Sequence, residues 1–217
     1  MKKLNILYED KHLLVVNKPA KVLTIGTIKD KDNNLYREVY DYLHKKNQKV
    51  FIVNRLDKDT SGLVVFAKSE KVKNIMQDNW SNVLRKYYAV VEGVISKEGM
   101  VESYLKETKT LLTYSSKDKN GKYAKTLYKP ILSNKKYTLL KVQILTGRKN
   151  QIRVHMQDIG HPIVGDKKYG SKESPLNRMA LHAYFLEFSH PITKEVIKLE
   201  TNMPKEFENF GVNLEKI

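Results

Sequence analysis

Short apolar runs, often alternating with polar positions and broken by polar turns, recur along most of the chain. This pattern predicts many strands and few helices. Asn5–Tyr8 and Leu13–Asn17 read as a strand pair around Glu9-Asp10-Lys11-His12. Leu35–Lys46 has Leu35, Val39, Tyr42 and Leu43 on one face and reads as an amphipathic helix. Ser69 is placed to cap a second helix over Glu70–Trp80, with Val72, Ile75, Met76 and Trp80 facing a core. Arg85–Gly93, Lys122–Leu132, Lys136–Leu145, Leu181–Phe188 and Val196–Glu200 read as further strands. Asn150 is expected to cap a short helix with Ile152, Met156 and Ile159 as its apolar stripe and Gly160 as its stop. Thr24–Asn34 and the basic Thr108–Lys122 read as loops, the second as a mobile loop or hairpin tip. The pattern implies an α+β fold, a mixed and mostly antiparallel sheet with flanking helices, over one domain spanning 1–217.

The most informative polar turn lies between the apolar runs Val50–Val53 and Leu63–Ala67. It reads Asn54-Arg55-Leu56-Asp57-Lys58-Asp59-Thr60-Ser61-Gly62. In an extended segment Arg55 and Asp57 share a face, because side chains alternate with period two. Loops braced by strands are common seats for catalytic groups. Read alone, the same residues also fit a surface ion pair and an ordinary turn, so spacing leaves catalysis open.

Composition narrows the classes. The 217 residues carry 40 Lys+Arg against 24 Asp+Glu, a formal net charge of +16. That balance favours a polyanion such as RNA or DNA. Without cysteine there is no disulfide, thiolate metal site or cysteine nucleophile. Met1-Lys2-Lys3 resembles the start of a signal peptide, but Glu9, Asp10, Lys11 and His12 interrupt any apolar continuation. No run is long enough to span a membrane as a helix, and a cytoplasmic location is expected. His155, His161, His182 and His190 lack the spacing of a familiar metal motif, so no metal is expected.

Several motifs, in one collinear order from near residue 5 to near residue 200, resemble the RluA family of RNA pseudouridine synthases. Arg55-Leu56-Asp57, Thr60-Ser61-Gly62-Leu63 and Ala67-Lys68 resemble its signature, with Asn54 where the family usually has His. Arg85, Tyr87, Ala89, Val91 and Gly93 fill a second pattern, and Ala124, Thr126 and Tyr128 resemble its small-residue strand. Gly147-Arg148, Gln151-Ile152-Arg153 and His155 match a third, with Asn150 in place of its first His. Pro162-Ile163, Gly165-Asp166 and Tyr169-Gly170 match a fourth, in which a structural role is expected for Asp166. Lys18-Pro19 ends the opening strand pair as in the family, although Lys21 stands at a Gly position. No room is expected ahead of it for the S4-type module of some relatives.

The resemblance implies the pseudouridine synthase catalytic fold and isomerisation of uridine in large-subunit ribosomal or transfer RNA, with no cofactor. It implies Asp57, Tyr87 and Arg153 as catalytic residues. Asp57 starts cleavage of the N1–C1′ bond, directly at C1′ or through a glycal, and the uracil rejoins through C5. Arg153 takes the position of the arginine that pairs with the catalytic aspartate, and Tyr87 lies against the base. Arg55, Arg148, Asn150 and Gln151 are the expected substrate-binding residues. Arg55 is the cation expected to fill the place of a flipped-out nucleotide, since unstacking costs a few kcal/mol. A monomer is expected. Two other readings follow from the residues: an RNA-binding module of the same fold that lacks the reaction, suggested by Asn54 and Asn150, and a phosphate-handling enzyme using Arg148 and the start of the helix. No P-loop supports the latter.

Overall fold

A computed structural model describes residues 4–27, 32–172 and 174–210. Met1–Lys3, and residues 28–31 of the expected Thr24–Asn34 loop, lie outside the described residues. The chain forms two compact units, one from Met1–Val83 and Ala183–Thr201, the other from Leu84–His182 and Asn202–Ile217.

The first unit contains β1 (Ile6–Glu9), β2 (Leu13–Lys18), α1 (Leu35–His44), β3 (Phe51–Ile52), β4 (Ser61–Ala67) and α2 (Glu70–Asp78). It also holds most of β10 (Leu181–Ser189) and all of β11 (Val196–Glu200). Strand order is β1-β2-β4-β10, with β11 on β10 and β3 on β4. The alternation of β2 and β4 has a direct structural consequence. Leu13, Val15, Leu63 and Val65 pack with Val72 and Met76 of α2. Leu14, Val16, Val64 and Phe66 pack with Leu35, Val39 and Leu43 of α1. Both faces of β4 are therefore buried, and every residue from Leu63 to Ala67 is fully inaccessible. Burying each of the larger side chains, Leu63 to Phe66, stabilises the unit by about 1.5–3 kcal/mol.

The helix ends follow the sequence. Ser69 accepts a hydrogen bond from Val72 N at 3.3 Å, as its position predicts. Asn34 caps α1 in the same way, accepting from Arg37 N at 3.0 Å. The second helix ends at Asp78, and Trp80 opens a 3-10 turn over Trp80–Asn82, partly buried against the α2 core.

The second unit contains β5 (Leu84–Glu92), β6 (Gly99–Glu107), β7 (Thr113–Ser116), β8 (Lys122–Ser133), β9 (Tyr137–Ile144) and α3 (Gln151–Asp158). Strand order is β5-β9-β8-β6-β7, with antiparallel registers from β5 through β7. Ile152 and Met156 of α3 join Ala89, Val91, Leu140 and Val142 in one core, and Val154 joins Leu105, Ala124 and Tyr169 in another. The stretch Thr108–Lys122 corrects the loop expectation: it contains β7, paired with β6 from Thr113 to Ser116. The strand is four residues long and polar, too short for periodicity to announce. Among the described residues the elements make an α+β fold of mostly antiparallel sheet with three α-helices.

Candidate active site

In the first unit, Asp57 sits in a turn held from three directions. Thr24 is buried, and its hydroxyl donates to Leu56 O at 2.7 Å and accepts from Leu56 N at 3.2 Å. Lys18 has no exposed surface, and its ammonium donates to Pro19 O, Val22 O and Lys58 O at 3.0, 2.7 and 3.1 Å. Three carbonyl dipoles thus stand in for water around a buried cation. Asn54 Oδ1 accepts from Val65 N at 2.8 Å, tying the start of the turn to β4. An amide can make this bond from its carbonyl side, so Asn54 has a structural task at the position where His is usual.

The turn closes with Thr60 N donating to Asp57 O at 3.2 Å. Asp57 is half-buried and Arg55 exposed. Gly62 adopts φ +119°, and a Cβ there would collide with the backbone of Ala183 in β10. Glycine at this position therefore permits close approach of two strands.

In the second unit, Tyr87 lies on β5 opposite Val142, half-buried. Arg85, on the same face of β5 by alternation, is 5% exposed. Burial lowers its pKa, with Arg148 pushing the same way and Tyr87 opposing. Arg85 therefore feels both Tyr87 and Arg148. Gly147 makes room for this cation: a Cβ there would lie 2.6 Å from Arg85 Nη1. Arg148 is exposed and donates from Nε to Tyr123 O at 2.9 Å.

Gln151 is 3% exposed, and four hydrogen bonds tie its amide to the chain. Oε1 accepts from Thr146 Oγ1 and Arg148 N, at 2.7 and 3.0 Å. Nε2 donates to Lys125 O and Thr126 Oγ1, both at 2.9 Å. Gln151 therefore shapes the Thr146–Arg148 turn that carries Arg148. Asn150 is not the expected side-chain cap of α3. It takes the left-handed conformation, φ 55°, and its Oδ1 accepts from Arg153 Nη1 at 2.9 Å while Nδ2 donates to Tyr169 Oη at 3.0 Å. The capping bond is lost because the arginine three residues ahead holds the same oxygen.

Arg153 is the most tightly placed of these groups. Asp166 grips it with two hydrogen bonds, and its guanidinium carbon lies 4.6 Å from the centre of the Tyr169 ring. Bidentate geometry and stacking fix a guanidinium in orientation as well as position. Asp166 is 3% exposed, so the structural role expected for it consists of holding Arg153. Below α3, His155 bridges Thr126 Oγ1 at 2.8 Å and Ser103 Oγ at 3.0 Å. Burial depresses its pKa, with Asp158 opposing.

Sequence reasoning assigned no role to Lys18, Thr24 or Arg85. Their signal is a polar side chain inside or beside a strand, which does not reveal burial. Among the described residues, no group of three or more His, Asp or Glu side chains could hold a metal ion, and no helix is long and apolar enough to cross a membrane.

Comparison with known proteins gives these residues a family context. The family model described as RNA pseudouridylate synthase matches residues 12–158. An uncharacterized RNA pseudouridine synthase of Bacillus subtilis is 37% identical over 95% of this chain and 70% of its own length. The ribosomal large subunit pseudouridine synthase D of Pasteurella multocida is 35% identical, over 94% of this chain and 68% of its own. A tRNA pseudouridine synthase C of Haemophilus ducreyi is 32% identical over 96% of each chain. The solved structure of human RNA pseudouridylate synthase domain containing 4 shares the fold with a TM-score of 0.78, at 24% identity over 95% of this chain and 91% of that one.

Proposed function

Because the chain belongs to the RNA pseudouridylate synthase family and is an RNA-modifying isomerase, we propose that it isomerises uridines of ribosomal or transfer RNA through Asp57. The observation that carries this reading is the Asp57 turn, pinned by Lys18, Thr24 and Asn54 so that one half-buried carboxylate is presented in a fixed backbone frame. Supporting contacts of this kind are what a preorganised reacting group requires.

Asp57 acts ionised, as nucleophile at ribose C1′ or as base toward a glycal, and opens the N1–C1′ bond. The freed uracil turns and bonds through C5, and the C5 proton leaves to solvent. N1, released from C1′, takes up a proton as C5 gives one up, so the product is an isomer of the substrate and the reaction needs no external oxidant or group donor. Arg153 is assigned to the catalytic machinery, with Asp166 and Asn150 setting its orientation. Tyr87 is assigned to the base and assists C5 deprotonation. Arg55 enters the stack in place of the flipped nucleotide, and Arg148 meets the phosphates. Asn150 and Gln151 act by positioning Arg153 and Arg148.

The relatives named above act on two classes of RNA, so the target is tested in both. Cells lacking the chain are complemented with wild type or Asp57→Asn, and pseudouridines are mapped in ribosomal and transfer RNA by carbodiimide primer extension. A stop restored by wild type alone supports the reading and identifies the uridine. Restoration by Asp57→Asn would remove Asp57 from the chemistry.

A further inference from the structure

The face of the second unit's sheet that looks away from α3 has a composition that the active site does not use. Three cross-strand pairs from two antiparallel registers define it. Tyr104 of β6 stands opposite Tyr123 of β8, and Glu102 opposite Lys125. Lys106 of β6 stands opposite Tyr114 of β7. Directly opposed residues project to one side of a sheet, and residues two apart along a strand do the same. Tyr114, Tyr104 and Tyr123 therefore stand on one face across three adjacent strands. The other face belongs to α3: Ser103 and Thr126 meet His155, and Leu105 and Ala124 pack with Val154.

The tyrosines remain accessible. Tyr114 is 42% exposed, Tyr123 40%, and Tyr104 partly so, its ring 5.8 Å from that of Tyr123. Cross-strand tyrosine pairs stabilise a sheet by about 0.2–1 kcal/mol, which explains a pair but not its surroundings. Those surroundings are cationic. Leu84–His182 carry 20 Lys+Arg against 8 Asp+Glu. On this face Lys106 and Lys125 border the rings, and Glu102 pairs with Lys125. Lys106 also meets Asp118 in the β7–β8 turn. The patch adjoins Arg148, whose side chain bonds the backbone of Tyr123.

Exposed aromatic faces beside a row of cations are the combination that holds unpaired nucleotides, with bases stacked on the rings and phosphates near the ammonium groups. We propose that this face, centred on Tyr104, Tyr114 and Tyr123, binds an unpaired segment of RNA. It rests on the reading of the chain as an RNA-modifying enzyme. Its role is to hold single-stranded RNA outside the reacting uridine, favouring targets that have an unpaired stretch nearby.

The test uses the full chain and a fluorescent single-stranded oligouridine of about 12 nucleotides. The double variant Tyr104→Ala/Tyr123→Ala is expected to bind it roughly tenfold or more weakly than wild type. Asp57→Asn is expected to bind as wild type does. Melting followed by circular dichroism shows whether the double variant is folded. Should it be unfolded, wild-type protein is crosslinked to oligouridine bearing 4-thiouridine, and the adducts are expected on peptides from β6, β7 and β8. Wild-type affinity in a folded double variant, or adducts confined to other segments, would overturn the proposal. A face built for a protein partner would give that second result. Adducts on these strands without isomerisation of any RNA would overturn only the proposed chemistry, and isomerisation without such adducts only this surface.

Discussion

Arg153 and Asp166 form a paired fork, Nε to Oδ2 at 2.7 Å and Nη2 to Oδ1 at 2.8 Å, with the carboxylate side chain 2% exposed and the guanidinium 14%. Removing one partner of such a pair leaves the other charged and poorly solvated, at a cost of about 3–5 kcal/mol. Asp166→Asn is expected to lower unfolding free energy by that amount in urea titrations. It is also expected to reduce kcat more than KM, because Arg153 loses its orientation. Arg153→Lys is expected to rescue neither, since an ammonium cannot make the fork.

Gln151 gives a separable prediction. Its four amide bonds fasten the Thr146–Arg148 turn to β8 without needing charge. Gln151→Ala is expected to cost about 2–4 kcal/mol through unsatisfied buried groups. It is expected to raise KM for RNA through a displaced Arg148. Titration with denaturant and steady-state kinetics check the two effects.

The Asp57 turn depends on Lys18. Lys18→Met keeps the apolar stem but leaves Pro19 O, Val22 O and Lys58 O without the ammonium that they share. The turn is expected to loosen, and exchange of the Thr60 amide, which closes it onto Asp57 O, is expected to speed up at least tenfold. Unchanged exchange would show that the turn holds its shape without the cation.

Acid stability has a signed expectation. Burial, with Arg178 nearby, lowers the pKa of His182 from 6.5 to about 4, against a hydrogen bond to the Asn202 backbone. The unfolded chain therefore takes up a proton between these values that the folded chain does not. Stability is fully present above pH 6.5 and falls as pH drops toward 4, by about 3 kcal/mol in all. His155, also lowered by burial, adds to the loss. Glu9 acts in a lower window. Burial raises its pKa, but Lys68, Tyr42 and Lys46 outweigh that and bring it to about 2, so its contribution is lost as pH falls from 4.5 toward 2. Melting temperature against pH checks both windows, and His182→Gln should flatten the upper one.

Much of this organisation was legible before the coordinates. The short apolar runs Leu13–Asn17 and Leu63–Ala67 marked strands, and the fold adds that both faces are covered, which is why β4 is buried throughout. Ser69 marked a helix start because its hydroxyl has one local use. Asn150 misled for a physical reason. Capping is a local preference, and the Arg153 guanidinium competed for the same oxygen. Gln151 was expected to bind substrate, and its place as a buried brace was not legible, because its four partners include Lys125 and Thr126, distant in sequence. The β6 and β7 strands escaped notice because polar and charged residues interrupt any clear apolar period.

The central claim is that Asp57 drives exchange of a carbon–nitrogen for a carbon–carbon glycoside. Tritium release from RNA labelled at uridine C5 measures this most directly, because the C5 hydrogen leaves only if C5 becomes the point of attachment. Unmodified ribosomal and transfer RNA are tested separately with wild type and Asp57→Asn. The account predicts release by wild type from one pool at least, and none by Asp57→Asn, which still binds the RNA. Equal release by the two proteins, or none by wild type with binding intact, would contradict it.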